Sequence, residues 1–276
     1  MGSIENVPGQ RSGYERILDE ISETGYVGTE LGDWGFMPTD PVQLAAELQK
    51  RNLEMTGSWV NVYMAHDSRY AESLENCLRT ARQLSKVCDE VYEIPHRTKN
   101  AGRIKSGDEM DALTRKIFNA NINRICKQVK EETGVKVLFH HHIGTWIETP
   151  EEIDRLLNDT IIDICFDSGH CFFGGGNPLE MVKKYYSRVG VIHFKDCEPQ
   201  VAERSRREGW DAFESLRHGI FPELGKGGIN FQGITDHLKT MNYSGWIIVE
   251  QDVIPGMGDP KNSAYRNREF IRTLGL

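Results

Sequence analysis

Short runs rich in β-branched residues alternate with amphipathic stretches along most of the chain, and this alternation restricts the fold more than any other feature. The strand-like runs lie at 26–32, 55–64, 90–94, 135–140, 161–166, 189–194 and 246–249. Helical spacing of apolar residues marks 12–24, 42–51, 70–87, 108–132, 151–158, 178–186, 231–241 and 263–274. Several of these segments open on a capping pattern, such as Asp40-Pro41 and Thr149-Pro150-Glu151-Glu152. Strands that alternate with helices imply a parallel sheet joined by right-handed crossovers.

The chain has 276 residues and no Pro/Gly/Ser-rich linker. A single α/β barrel needs about 250 residues. The expectation is therefore an α/β fold of the TIM (β/α)8 type, one domain over 1–276. Its first strand is short or missing, because Val7-Pro8-Gly9-Gln10 is poor strand material ahead of the first helix. Either residues 3–7 form a short irregular strand or the barrel has a gap at its first position. An open doubly wound sheet is disfavoured, since no Gly-rich phosphate fingerprint follows an early strand. A charged excursion at 197–230, helical over 199–218, reads as a lid-like insertion over the barrel mouth.

Composition excludes several classes. Net charge is -8 and the Lys and Arg residues are scattered, which argues against a nucleic-acid groove and a basic membrane face. No apolar run approaches the roughly 20 residues that span a bilayer. Residues 1–6 lack an apolar signal core, so a cytoplasmic location is expected. Six cysteines (Cys77, Cys88, Cys126, Cys165, Cys171 and Cys197) form no CxxC pair. They read as buried thiols in a reducing compartment, with no base spaced to make any of them a nucleophile.

In an α/β barrel the residue at a strand's C-terminal end points into the mouth. Those positions hold Glu30, Glu93, His140, His142, Asp167, His193, Lys195, Glu250 and Asp252. Alternation places His140 with His142, His193 with Lys195, and Glu250 with Asp252 on shared faces. A lone strand-end His is more often a structural hydrogen-bonding group, and Asp167-Ser168-Gly169 taken alone is a turn. Imidazoles and carboxylates at the ends of successive strands instead make a mixed N/O donor set for Mn²⁺, Co²⁺, Fe²⁺ or Zn²⁺. Such a cation polarises a carbonyl, and proton abstraction beside it leads through an enediolate to isomerisation, epimerisation or loss of water.

Six motifs in this order carry a resemblance: 25–32 (GYVGTELG), 140–145 (HHHIGT), 166–170 (FDSGH), 193–196 (HFKD), 225–231 (GKGGINF) and 245–250 (GWIIVE). Together they resemble the sugar phosphate isomerase/epimerase family of xylose isomerase-like TIM barrels, nearest its inosose dehydratase branch. The resemblance implies one divalent ion, Mn²⁺ or Co²⁺ with Zn²⁺ or Fe²⁺ as alternatives, on Asp167, His193, Glu250 and a first position aligned with His140. Most of the family has Glu there, and His142 competes with His140 for the role. It further implies a lyase that dehydrates a keto-inositol or keto-sugar through a proton α to a metal-held carbonyl. A sugar isomerase/epimerase using the same enediolate is the alternative, and a repurposed non-catalytic barrel with its first strand lost is the third.

Within that reading Lys195 holds a substrate oxygen or carries a proton, or else only pairs with Glu250 or Asp252. Glu30, Glu148 and His142 are the candidate acid–base groups, although Glu148 also fits an ordinary loop acid. His170, Trp146 and Arg217 are assigned to the substrate, a small polyol or keto-sugar. The insertion serves as a solvated lid, a substrate clamp or a homodimer contact. Phe172-Phe173 packs on a substrate ring, in the core or at a subunit contact, and 225–228 is no P-loop because it lacks the Gly-x4-Gly-Lys-Ser/Thr pattern.

Overall fold

The computed structural model describes residues 13–88, 92–95, 110–254 and 256–276. Within them seven strands follow one another as β1 (Gly28–Glu30), β2 (Glu54–Gly57), β3 (Tyr92–Pro95), β4 (Val137–His140), β5 (Asp163–Asp167), β6 (Val189–Phe194) and β7 (Ile247–Val249). The strands β1 and β2 pair with each other, and the remaining five form one sheet in the order β3-β4-β5-β6-β7. Every pairing is parallel. Helices connect them: α1 (Tyr14–Glu23), α2 (Pro41–Gln49), α3 (Tyr70–Leu84), α4 (Ala112–Thr133), α5 (Pro150–Asp159), α6 (Ser168–Phe173) and α7 (Pro178–Tyr185). Four more follow: α8 (Pro199–Glu208), α9 (Ala212–Arg217), α10 (Phe231–Thr240) and α11 (Pro260–Thr273). The expected strand at 3–7 and the side chain of Glu93 lie outside what is described.

Local chemistry sets the boundaries. Asp40 accepts the N–H of Gln43 at the start of α2. At α5, Thr149 and Glu152 form a capping box, which satisfies two backbone donors reciprocally. Asp111 caps α4 through Leu113 and Thr114, so that helix starts later than the sequence suggested. Three differences have physical causes. The expected run 55–64 is a continuous strand only to Gly57, with isolated bridges at Trp59 and Val62, and Tyr63 gives its N–H to Ser73 on α3 instead of to a strand. The single helix expected at 199–218 breaks at Gly209, whose φ of 69° is left-handed, and restarts with Asp211 capping Glu214. A short helix, α6, forms directly after β5 because the Asp167 carboxylate caps it.

The core divides into layers. Leu138, Cys165 and Val191 form one buried cluster with Trp246 and Ile248 against it. Leu138, Cys165, Val191 and Ile248 stand two residues before His140, Asp167, His193 and Glu250 on four neighbouring strands. Period-2 alternation therefore sets the second group one layer above the first, on the same face. The other large cluster packs helices against strands and includes Leu18, Leu44, Phe118, Ile153, Phe166 and Phe231. Among the described residues no helix is long and apolar enough to cross a membrane.

Two carboxylates tie down the chain that follows α9. The Asp196 carboxylate is buried and accepts N–H groups from Cys197 (2.8 Å), Gly225 (2.9 Å), Gly227 (2.8 Å) and Ile229 (3.3 Å). These bonds account for the spacing of the 193–196 and 225–231 motifs. Glu223 takes the Arg266 guanidinium, with Nε at 2.9 Å, the Ser263 hydroxyl at 3.0 Å and the Lys226 ammonium at 2.6 Å, fastening the same loop to α11.

Arg266 above all holds the Glu223 carboxyl down at about 2, against an ordinary 4.5. A carboxyl depressed on folding stabilises above its unfolded value, and that stabilisation is lost as pH falls from about 4.5 towards 2. Glu223→Gln should therefore lower stability by about 1–2 kcal/mol at pH 7, a modest figure because Arg266 and Lys226 are more than half exposed. Thermal melts of both proteins at pH 7 and pH 3 check this, with the gap between them narrowing at the lower pH.

Candidate functional site

The C-terminal ends of β4, β5, β6 and β7 bring His140, Asp167, His193 and Glu250 into one group, with one donor atom from each within 4.8 Å of all the others. Register explains the meeting, since Asp167 is the direct partner of His193 across β5 and β6. His140 Nε2 is 3.6 Å from Asp167 Oδ2, and His193 Nδ1 is 3.8 Å from that same oxygen. The same His193 Nδ1 lies 2.7 Å from Glu250 Oε2. Glu30 joins from β1, with Oε1 3.6 Å from His193 Nε2. His140, Asp167 and His193 are all buried.

Hydrogen bonding tests whether this group fits a cation. Asp167 Oδ1 accepts the His170 N–H at 2.7 Å, as a helix cap should. Its other oxygen, and both ring nitrogens of His140, are buried without a hydrogen-bond partner among the described residues. Each such orphan costs about 1–3 kcal/mol. The gap of 3.6 Å between His140 and Asp167 is too long for a hydrogen bond. Imidazole nitrogen and carboxylate oxygen facing one space without partners are what a four-donor N/O cation site requires.

The three consecutive histidines do three different things. His140 belongs to the donor group. His141 turns to the neighbouring strand, where its Nε2 accepts the Asp167 N–H at 3.2 Å. Burial, then the adjacent His140, keeps that ring neutral by pushing its pKa well below the ordinary histidine value. His142 is outside the four-donor group, and its Nδ1 is 2.7 Å from the Ile143 carbonyl. A carbonyl only accepts, so Nδ1 carries the proton and Nε2 keeps a lone pair. Burial and then His140 lower the His142 pKa to about 3.

Lys195 is the centre of charge. Its ammonium is 2.7 Å from Glu250 Oε1, 2.9 Å from Asp252 Oδ2 and 3.3 Å from His170 Nε2. Burial favours the neutral amine, but Asp252, Glu250 and Asp167 outweigh it and raise the pKa, so the group stays protonated. Burial likewise works to raise the Glu250 carboxyl, yet Lys195 and His193 hold it well below the usual range. Ser168 locks the backbone here, donating its hydroxyl to Lys195 O at 2.8 Å and accepting the Lys195 N–H at 3.0 Å. Gly169 clears a path for the lysine stem, because a Cβ there would stand 2.6 Å from Lys195 Cγ. Thus the Asp-Ser-Gly-His run sets a donor carboxylate, a backbone lock, a steric gap and an imidazole in four successive residues.

The other expected residues scatter. His170 does reach the site, packing on His142 with ring centroids 3.9 Å apart. Glu148 accepts the Gly144 N–H and is buried in the 143–148 turn. Trp146 lines a separate small cavity between α4 and α5, with Phe118, Arg155 and Leu156. Arg217 sits exposed at the end of α9, paired with Glu214 at 2.9 Å. The aromatic walls come from elsewhere. Trp59 meets His140 and His142 edge-on, with centroids 5.7 and 6.1 Å away. Phe221 meets His170 at 5.1 Å and lies 4.7 Å from the Lys195 ammonium. Trp59 was hidden in a run read as continuous strand; Phe221 lies beyond the insertion helices, where no local signal marks it.

The family model described as xylose isomerase-like TIM barrel matches residues 18–274. An inosose dehydratase of Geobacillus kaustophilus is 32% identical, covering 98% of this chain and 91% of its own. One from Clostridium botulinum is 28% identical over 96% of this chain and 90% of its own. Among solved structures, the probable 3-DHS dehydratase AsbF of Bacillus anthracis aligns with a TM-score of 0.73 at 17% identity, over 96% of this chain and 95% of that one. The 3-keto-D-glucoside 4-epimerase YcjR of E. coli gives 0.72 at 17% identity, over 97% of both. Sequence, strand order and the gathering of residues at the strand ends agree, and the chain belongs to the xylose isomerase-like TIM barrel family.

Proposed function

We propose that this protein is a divalent-metal-dependent dehydratase that removes water from a keto-inositol or a related keto-sugar. The observation that carries it is the buried donor group of His140, Asp167, His193 and Glu250, in which His140 and one Asp167 oxygen have no hydrogen-bond partner among the described residues. The relatives named inosose dehydratase, similar over nearly the whole chain, support the choice of reaction. Mn²⁺ or Co²⁺ suits a mixed N/O set without thiolate. Held by those four residues, the cation would polarise a ketone and its neighbouring hydroxyl and so acidify the C–H between them.

The chain's own groups then divide the proton work. The Glu30 carboxylate beside His193 takes the proton from carbon, whereas His142, its pKa lowered to about 3, stays neutral and is a poor base. Lys195, held by Glu250 and Asp252, is the ammonium placed at the site to hydrogen-bond the departing hydroxyl and pass it the proton with which it leaves as water. Trp59 and Phe221 wall the site with apolar surface, suited to the C–H face of a polyol ring. The whole chain acts as one barrel, and the 197–230 excursion serves as its lid through Phe221.

Elemental analysis of wild type and His193→Ala, purified side by side, should give about one Mn, Co, Fe or Zn per wild-type chain and none in the variant. No bound metal in wild type after incubation with Mn²⁺ and Co²⁺ would remove this reading. With keto-inositols as substrates, dehydration creates a conjugated enone that absorbs in the ultraviolet, whereas an isomerase or epimerase converts substrate without that absorbance. Lys195→Met should lower kcat by about 10²-fold or more with metal content retained. Gly169→Ala should act in the same direction by displacing the lysine stem, and unchanged turnover in both variants would dismiss the assigned acid.

A further inference from the structure

Cys165 occupies the barrel layer beneath the donor group. It stands two residues before Asp167 on β5 and is the direct register partner of His140 on β4. Its surroundings in that layer are Leu138, Val191, Trp246 and Ile248, so it brings the one sulfur to an otherwise hydrocarbon floor. It is completely buried. Donor atoms of His140, Cys165 and His193 lie within 4.8 Å of one another. Asp167 and Glu250 are not part of that group, and Cys165 is not part of the group of four. Two donor sets thus share His140 and His193 but differ in their remaining donors, carboxylates above and a thiol below. His140, which belongs to both, has both ring nitrogens buried and without hydrogen bonds among the described residues.

We propose that His140, Cys165 and His193 form a second metal position one layer deeper, selective for thiophilic divalent cations such as Cd²⁺ and Zn²⁺. Binding forms a metal–sulfur bond and breaks the S–H bond, with the proton released to solvent and no change of oxidation state. Soft thiolate favours these cations over Mn²⁺, which prefers the carboxylate set. Because the two positions share both imidazoles, one ion excludes the other. A thiophilic cation in the floor therefore withdraws His140 and His193 from the mouth. The proposal shares those two residues with the catalytic reading but does not require the reaction to be assigned correctly.

Full-length protein stripped of metal is titrated with CdCl₂ and followed by the ultraviolet thiolate-to-cadmium charge-transfer band. In wild type the band should saturate at about one ion per chain. It should disappear in Cys165→Ser, with Mn²⁺ content of that variant equal to wild type, and weaken when wild type is first loaded with Mn²⁺. A band of equal intensity in Cys165→Ser, arising from the other five thiols, overturns the proposal, as does a band indifferent to Mn²⁺. Cadmium NMR of wild type needs no variant: a shift typical of sulfur ligation supports the site, and one typical of purely N/O ligation refutes it. Loss of Mn²⁺ and Co²⁺ binding with an intact Cys165-dependent band removes the mouth reading alone. Metal at the mouth without any thiolate band removes this one alone.

Discussion

One buried ammonium faces more carboxylate than it can balance. Glu250 and Asp252 touch Lys195 directly, Asp167 acts on it through space, and Glu30 stands on the far side of His193. Two unit charges 4 Å apart interact by about 4 kcal/mol at the effective dielectric of a protein site. Such crowding is tolerable only with positive charge nearby, and His141, His142 and His170 cannot supply it because burial keeps them neutral. A divalent cation on His140, Asp167, His193 and Glu250 would restore the balance. The Ser168 hydroxyl fixes the Lys195 backbone, and Gly169 leaves room for its stem to reach these carboxylates. Removing either partner of a buried charge pair leaves the other uncompensated, which makes this cluster sensitive to single substitutions.

Most of the architecture was legible because periodicity is a local signal. Strand ends were readable from short apolar runs, and alternation along β6 and β7 set His193 with Lys195 and Glu250 with Asp252. His140, Asp167, His193 and Glu250 could be picked out because each ends a strand, and parallel strands end on the same side. What escaped was everything that depends on how the chain turns after leaving a strand. Trp146 follows the triple histidine closely, yet the 143–148 turn, pinned by Glu148 on the Gly144 N–H, carries it towards α4 and α5. Arg217 was assigned to the substrate as a cation of the charged excursion; the left-handed Gly209 splits 199–218 into two helices, and the arginine at the end of the second is exposed and paired with Glu214. The choice between His140 and His142 was open because a one-residue bend at the strand end shifts it; the four-donor group contains His140 and not His142.

The layered interior adds a constraint that no motif displays. Chemistry at the mouth is read easily because polar residues at strand ends are conspicuous. The residue two positions earlier is normally hydrocarbon and attracts no notice. Here the layer under the site contains sulfur, and its register partner is the very histidine whose nitrogens lack hydrogen bonds.

Asp196 has a further consequence. Its carboxylate receives the backbone at Cys197, where the excursion leaves β6, and again at Gly225, Gly227 and Ile229, where the chain returns towards α10. Departure and return are thereby stapled to a single side chain lying next to Lys195. Whatever sequence runs between those two anchor points leaves and re-enters at a fixed doorway, and it touches the site below through Phe221. The outer part of the excursion, α8 and α9, is in this sense an exchangeable cassette: segments of other length or composition could be grafted there to present new surfaces to a substrate, while Phe221 and Glu223 keep the returning chain on the site and on α11.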